Sequence, residues 1–458
     1  MGFKYFLILL SIFLLIGNAA ASGDEAAINA KLEQGGVVHL QAGTYILHDS
    51  IRLQSDTILE GEPGTIITIP DNAGWPVWKP LITGSGKHNI IIRNIDFDGN
   101  DRDQNEPRGH GYYNFIHVID CDSVEVSGCT LHDSLGDGLR AKTSTNVKFY
   151  NNKAYRLGHD GLYVIDSKNV EAYNNQIQTR TNSALRIWNC QHVRFHDNYI
   201  NAQLDSIGGN PGIQIEDSKG TLSDVEICNN VLDQTWGTGI WSISYDNGGK
   251  NTQATHIHHN LFYGTGVSPN IAYTGGFTGD GTKGDLIENN VFDGAKNAAV
   301  LIRSGGSGTT VKNNIITNTR LHSGIKQSGS GYGVALRASG PIVTFNCFYG
   351  NQNGDTYGCT AANSDLEDPR VHTTSSGWWW TSDGWKCGRV DSAALGVTPP
   401  AIPQNTTDED THEFFMIGQA QNNIIVSCGE PEAYPTPGLS YFSRTDTPEI
   451  IGELRVFK

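Results

Sequence analysis

VEVSGCTLHDSLGDGLRAKTSTN (124–146), VKFYNNKAYRLGHDGLYVIDSKN (147–169) and VEAYNNQIQTRTNSALRIWNCQH (170–192) are three consecutive segments of one length, and Val193 opens a fourth. Each begins with a short alternating strand pattern: VEVSGC, VKFYNN, VEAYNN, then VRFHDN. A second strand follows about a dozen residues on (GLRAK, GLYVI, ALRIW, then GIQIE), and no helical period intervenes. The Asn that closes the first strand recurs at Asn152, Asn175, Asn198, Asn230, Asn260, Asn290, Asn314 and Asn346. A period of about 20–30 residues built of strands predicts an all-β solenoid. Each repeat is then one coil, able to bury its apolar side chains only against the next coil. Equivalent residues fall into ladders about 4.8 Å apart, so function can be sought by aligning coils.

Working outward, coils are expected from about Ile67 to Phe348. DEAAINAKLE (24–33) reads as a short N-terminal cap helix, and GGVVHLQAGTYIL and SIRLQSDTILEG as strands beyond it. A cap is needed because an open solenoid end exposes unpaired backbone. Spacing widens to roughly 30 residues between Asn198 and Asn290. LDSIGGNP, SYDNGGKN and TGGFTGDGTKGD are expected there as Gly- and Asp-rich loops. The expected organisation is a signal peptide at 1–21, a solenoid domain at 24–370 and an irregular C-terminal extension at 371–458. Lys4, the apolar run Phe6–Ile16 and Ala19–Ala21 carry the signal reading. The apolar run is short for a membrane span, so the remainder is expected to be exported, secreted or at the cell surface, and not membrane-inserted. The tail holds an aromatic cluster, GWWWTSDGW (377–385), and a sequon at Asn405.

The net charge of −16 disfavours nucleic acid and anionic membranes as partners. Binding of an acidic polymer would need a local basic stripe. Of eight Cys, Cys129 shares the Asn152 register and is expected inside a coil, and Cys121, Cys190 and Cys228 also fall within strand repeats. Cys347, Cys359, Cys387 and Cys428 are the disulfide candidates. No CxxC pair is present, so no structural zinc site is predicted.

Aligning the second strands supplies the stripe. Ile116, Leu139, Leu162, Leu185, Ile213 and Ile240 form one column expected to point inward. The next position points outward and reads His117, Arg140, Tyr163, Arg186, Gln214, Trp241. Two residues on come Lys142, Ile165, Trp188 and Glu216. Before the inward column lie Asn114, Asp137, Asp160 and Ser183, next to Gly136, His159 and Asn182. Aromatic faces suit sugar rings, and Arg pairs with carboxylates bidentately. The stripe therefore predicts a groove for an acidic polysaccharide. Asp137 and Asp160, on neighbouring coils about 5 Å apart at Cβ, are the acid and nucleophile candidates, with His159 assisting and Glu216 contacting sugar. The bland alternative is a turn role for both, since Asp-Gly is common at tight turns. HIHH (256–259) offers two His on one strand face with no third ligand evident, and reads as a stacked pair. Asp280, Asp285 and Asp293 are the residues considered for Ca²⁺, though their spacing matches no loop motif; no cofactor is predicted.

The coils DSVEVSGCTLHDSLGDGLRAK, NVKFYNNKAYRLGHDGLYVID and NVEAYNNQIQTRTNSALRIWN resemble the archaeal disaggregatase family. So does the late segment VKNNIITNTRLHSGIKQSGSGYGV…FNCFYGN…SDLEDPRV. The resemblance spans roughly residues 30–370. It implies a right-handed parallel β-helix and an exported enzyme that cleaves methanochondroitin, a uronate- and galactosamine-containing matrix. Three readings follow: an endo-acting glycoside hydrolase, a polysaccharide lyase or C5-epimerase using Tyr163, His159 and Arg186, and a non-catalytic adhesin.

Overall fold

In the computed structural model, described residues run from 23 to 362 except 77–78, 105–112, 180–181, 202–210, 246–254, 269–274 and 323–327, with four three-residue strand pieces farther on. Residues 1–21, read as a signal peptide, Cys387, Cys428, the aromatic cluster at 377–385 (bar the backbone of 379–381), Asn405 and most of the long insertions other than TGGFTGDGTKGD lie outside them. Three twelve-stranded sheets run the length of the solenoid, and each takes every third strand of the chain. Strands Asp122–Ser127, Thr130–Ser134 and Leu139–Lys142 make one coil, contributing to the first, second and third sheets in turn. Pairing is parallel and in the predicted register: Val124 faces Val147, and Leu139 faces Leu162. The predicted inward column is fully buried from Ile116 through Ile240.

Coils extend farther than the sequence pattern indicated. They begin at strand Gly36–Leu40 and end at Gly354–Tyr357, so the strands read as part of a cap are the first coils. The helix Glu25–Leu32 is the cap: Ile28 and Leu32 close the core, and Asn29 accepts from the Arg52 backbone N–H and donates to the Ser50 carbonyl. TGGFTGDGTKGD is largely the third-sheet strand Gly275–Thr282 and not a loop. Its glycines answer to close packing. A Cβ on Gly276 would lie 2.5 Å from the Ala299 carbonyl oxygen and against the Phe292 ring.

The Asn ladder explains the paired asparagines. Asn151, Asn174, Asn229, Asn289 and Asn313 hold the left-handed region at φ 52–58°, a conformation Asn adopts more readily than most residues. The Asn that follows each is buried. Its amide donates to a carbonyl of the preceding coil, while its oxygen accepts from the previous ladder Asn: Asn230 Nδ2 lies 2.9 Å from Phe195 O and 3.0 Å from Asn260 Oδ1, and Asn198 N and Nδ2 lie 3.0 and 2.9 Å from Asn230 Oδ1. Cys129 joins this ladder, its N–H donating to Asn152 Oδ1. Among the described residues Cys347 and Cys359 are not bonded to each other, and Cys347 is fully buried within the solenoid. Replacing Asn230 with Ala removes the acceptor of the Asn198 backbone N–H and the donor to the Phe195 carbonyl, and should lower stability by about 3 kcal/mol. A urea-midpoint shift worth less than about 1 kcal/mol would show that the ladder does not hold the coils in register.

Candidate functional site

The turn entering the third sheet carries a second buried ladder, in which carboxylates replace amides. Asp137 N–H donates to Asn114 Oδ1 at 2.9 Å, Asp160 N–H to Asp137 Oδ1 at 3.0 Å, and Ser183 N–H to Asp160 Oδ1 at 2.8 Å. The glycine after each Asp is required by stacking: a Cβ on Gly138 or Gly161 would sit 2.5 Å from the carbonyl oxygen of Gly161 or Ala184. The turn role and the proximity of the two carboxylates thus coexist.

Both Asp side chains have 0 % exposure, so neither carboxyl meets solvent in this conformation. His159 joins them to the surface. Its Nδ1 lies 2.5 Å from Asp137 Oδ1 and 3.1 Å from Asp160 Oδ2, and its side chain is 17 % exposed. The Asn182 amide is 3.1 Å from Nε2. Arg140 approaches Asp137 at 3.7 Å and Arg186 approaches Asp160 at 3.5 Å. Their guanidinium carbons lie 4.9 and 4.4 Å from the Tyr163 ring centre, so the phenol is bracketed by two cations.

Charge follows burial and neighbours. Burial drives Asp160 up to about 6, only partly opposed by His159 and Arg186 and reinforced by Asp137. Burial also pushes Asp137 upward, but the charge and hydrogen bond of His159 outweigh it and hold the carboxyl below its ordinary value. His159 is pulled down by burial and carried up to about 9 by Asp160 and Asp137. His117 is lowered to about 4 by burial and by Arg140, leaving a neutral imidazole beside a guanidinium. The site therefore holds ionised Asp137 and cationic His159 at neutral pH, with Asp160 taking up a proton as pH falls through about 6.

The rest of the outward row is in register as predicted, through His117, Arg140, Tyr163, Arg186, Gln214 and Trp241. Its members are not equally open. Tyr163 and Gln214 are buried, and Gln214 accepts from the Ser183 hydroxyl at 3.0 Å. Glu216 is corrected from a sugar contact to a support: fully buried, it binds Arg186 Nε at 2.6 Å and accepts from Tyr245 at 2.7 Å. Trp188 is partly buried, donates to Ser218 and packs on Tyr245 at 5.8 Å between ring centres. Lys142 is exposed at the rim, while His117 and Trp241 are partly buried. Tyr245, which the period did not flag, follows strand Thr238–Ser244 where the repeat pattern breaks. Asp280, Asp285 and Asp293 do not converge: Asp280 pairs with Arg303 on the third sheet, Asp285 accepts from Thr255 N–H between coils, and Asp293 binds Thr317 and Asn318 on the second sheet. Asp137, His159 and Asp160 also constitute a compact donor set, with the imidazole joined to both carboxylates.

Comparison with known proteins places the chain. Residues 222–391 match the family described as disaggregatase related. Residues 81–262, which include Asp137, His159 and Asp160, match the model described as right-handed β-helix region, in keeping with the parallel solenoid. No curated protein matches in sequence. Among solved structures, the A-module of mannuronan C-5 epimerase AlgE6 from Azotobacter vinelandii aligns with TM-score 0.58 at 16% identity, covering 74% of this chain and 94% of its own. The family 28 exopolygalacturonase of Yersinia enterocolitica aligns with TM-score 0.51 at 14% identity, covering 75% of each chain. The catalytic domain of a GH87 α-1,3-glucanase aligns with TM-score 0.50 at 16% identity, over 76% of this chain and 68% of its own. At these identities the likeness is one of fold.

The proton inventory predicts a pH dependence. Asp160 and His159 both bind their protons more tightly in the folded state. Stability should therefore fall as pH rises, across 3.8 to about 6 for Asp160 and across 6.5 to about 9 for His159. In labelled protein, imidazole NMR should show two rings titrating near 9, His132 and His159. Asp137→Asn should move only one of them down. If both stay at 9, the Asp137–His159 pairing is not what holds the proton.

Proposed function

We propose that the protein is an exported enzyme that cleaves the glycosidic bonds of an acidic extracellular polysaccharide by hydrolysis, a methanochondroitin-like uronate polymer being the substrate class. The observation that carries this reading is His159 between two buried carboxylates on adjacent coils, opening onto a face that carries Arg140, Arg186 and Lys142. Support comes from the disaggregatase-related match and from the printed activities of the fold's relatives, which include a polygalacturonase and a glucanase. No helix among the described residues is long and apolar enough to cross a membrane.

In this reading the guanidiniums bind substrate carboxylates and the half-buried aromatics Trp188 and Trp241 line the sugar path. Asp160, with its value near 6, is the proton reservoir for the departing glycosidic oxygen. His159 is the group that reaches the surface and passes the proton outward, and Asp137 keeps it oriented and charged. A direct two-carboxylate mechanism needs a sugar between carboxyls roughly 5–9.5 Å apart. Here both carboxyls contact the same imidazole nitrogen, so Asp137 acts as a positioning residue and the nucleophile role proposed for the pair passes to water.

A second reading has its own observation. Tyr163 bracketed by two guanidiniums, with neutral His117 one coil from Arg140, also suits proton abstraction beside a neutralised uronate carboxylate, as elimination or epimerisation requires. Incubation with methanochondroitin or chondroitin distinguishes them. Shorter products without new ultraviolet absorbance indicate hydrolysis, and absorbance of an unsaturated uronate indicates elimination. Asp160→Asn and His159→Gln should each cost about 10²–10⁴-fold in kcat, while Lys142→Gln should chiefly raise KM. An acidic polymer left unchanged in size and composition overturns the enzymatic assignment.

A further inference from the structure

The outward face of the first sheet carries a second cluster, on coils beyond the site just described. Strand Ser223–Cys228 pairs with Thr255–His258, which pairs with Leu286–Glu288. Register sets Glu226 beside His256, Cys228 beside His258, and His258 beside Glu288. The donor atoms of Glu226, Cys228 and His258 all lie within 4.8 Å of one another. His258 Nε2 is 3.0 Å from Glu226 Oε1, while the other Glu226 oxygen takes Arg194 Nε at 2.8 Å. Nearby, His256 Nε2 and Lys312 Nζ both hold Glu288, at 2.7 and 3.1 Å.

One thiol sulfur, one imidazole nitrogen and one carboxylate oxygen are the donor types of zinc sites that use three protein ligands and keep a position open. The sulfur argues against calcium or magnesium, which take oxygen donors. A second feature is the partner behind the imidazole. His258 Nδ1 lies 2.6 Å from His259 Nδ1, a spacing at which one proton is shared between two rings. A ligating imidazole ordinarily donates its other N–H to such a partner, which fixes its tautomer and turns the remaining lone pair toward the metal. His259 holds φ 55° at the turn position that the flanking coils give to Asn229 and Asn289, so a ring stands where those coils carry an amide.

We propose that Glu226, Cys228 and His258 form a binding site for one divalent transition-metal ion of the zinc class, with His259 as the hydrogen-bond acceptor that orients His258. On binding, the Sγ–H bond of Cys228 breaks, its proton leaves to solvent, and the sulfur–metal bond forms. The His258 Nε2 contact with Glu226 Oε1 gives way to metal contacts from both groups, and Arg194 stays on Glu226 Oε2. This site stands independently of the reading of the third sheet.

Cobalt(II) titration of the full chain tests it, since a thiolate ligand produces a near-ultraviolet charge-transfer absorption. The expected result is saturation at about one equivalent, with the band displaced by zinc(II). Cys228→Ser should abolish the band. Glu226→Gln, at a partly exposed position that leaves the packing intact, should weaken cobalt binding by about tenfold or more. Cys359→Ser should leave both unchanged. Absence of the band in the unaltered chain, its persistence in Cys228→Ser, or undiminished affinity in Glu226→Gln would overturn the proposal.

Discussion

A solenoid buries polar backbone at every turn, and each buried group has to find its partner on the coil above or below. The hydrogen bond from one ladder asparagine to the next meets that demand from Asn152 to Asn346. Each amide also reaches a backbone carbonyl of the preceding coil, so one side chain ties three levels together. The bond is indifferent to how many residues separate the partners, which range from 23 to 32 along the chain. Register is therefore kept at the turn while length is free to vary elsewhere.

The candidate site is an alteration of the same device. At the turn into the third sheet, Asn114 is followed on successive coils by Asp137 and Asp160, with the backbone bonds retained. A buried carboxylate is costly unless paired. Two in succession call for countercharge, which His159, Arg140 and Arg186 bring from the outward side. A row of cations over a row of buried anions is thus the electrostatic completion of the ladder as well as the lining of a groove. The three perturbed protonation states arise from a structural position with its amides exchanged for acids.

How much of this could be read beforehand depended on which physical signal each residue obeyed. The inward column, the outward row and the Cys129 register follow from a period of two within a period of 23 residues, and they were legible, as was the cap helix from its own helix-forming stretch. Alternation tells which side of a strand a residue faces but not how deep its side chain lies. That is why Glu216 and Gln214, correctly assigned to the outward side, proved to be buried supports. Glycine carries two messages, a turn or a close approach, and at Gly275–Thr282 the second applied where the first was expected. Tyr245 sits where the repeat lapses, so no alignment of coils could find it. The cluster around His258 was half visible: HIHH showed two imidazoles, but Glu226 and Cys228 enter only when strands about 30 residues apart are set side by side.

Stacking also makes the molecule's length a discrete quantity. Positions on the outward faces are separated by whole multiples of about 4.8 Å, so the distance from Arg140 to Trp241 can be altered only by adding or removing an entire coil. A single-residue deletion inside a strand would instead turn its inward side chains out. Evolution of such a surface proceeds in rungs: a duplicated coil lengthens the polymer track by one step and leaves the chemistry of every other rung untouched.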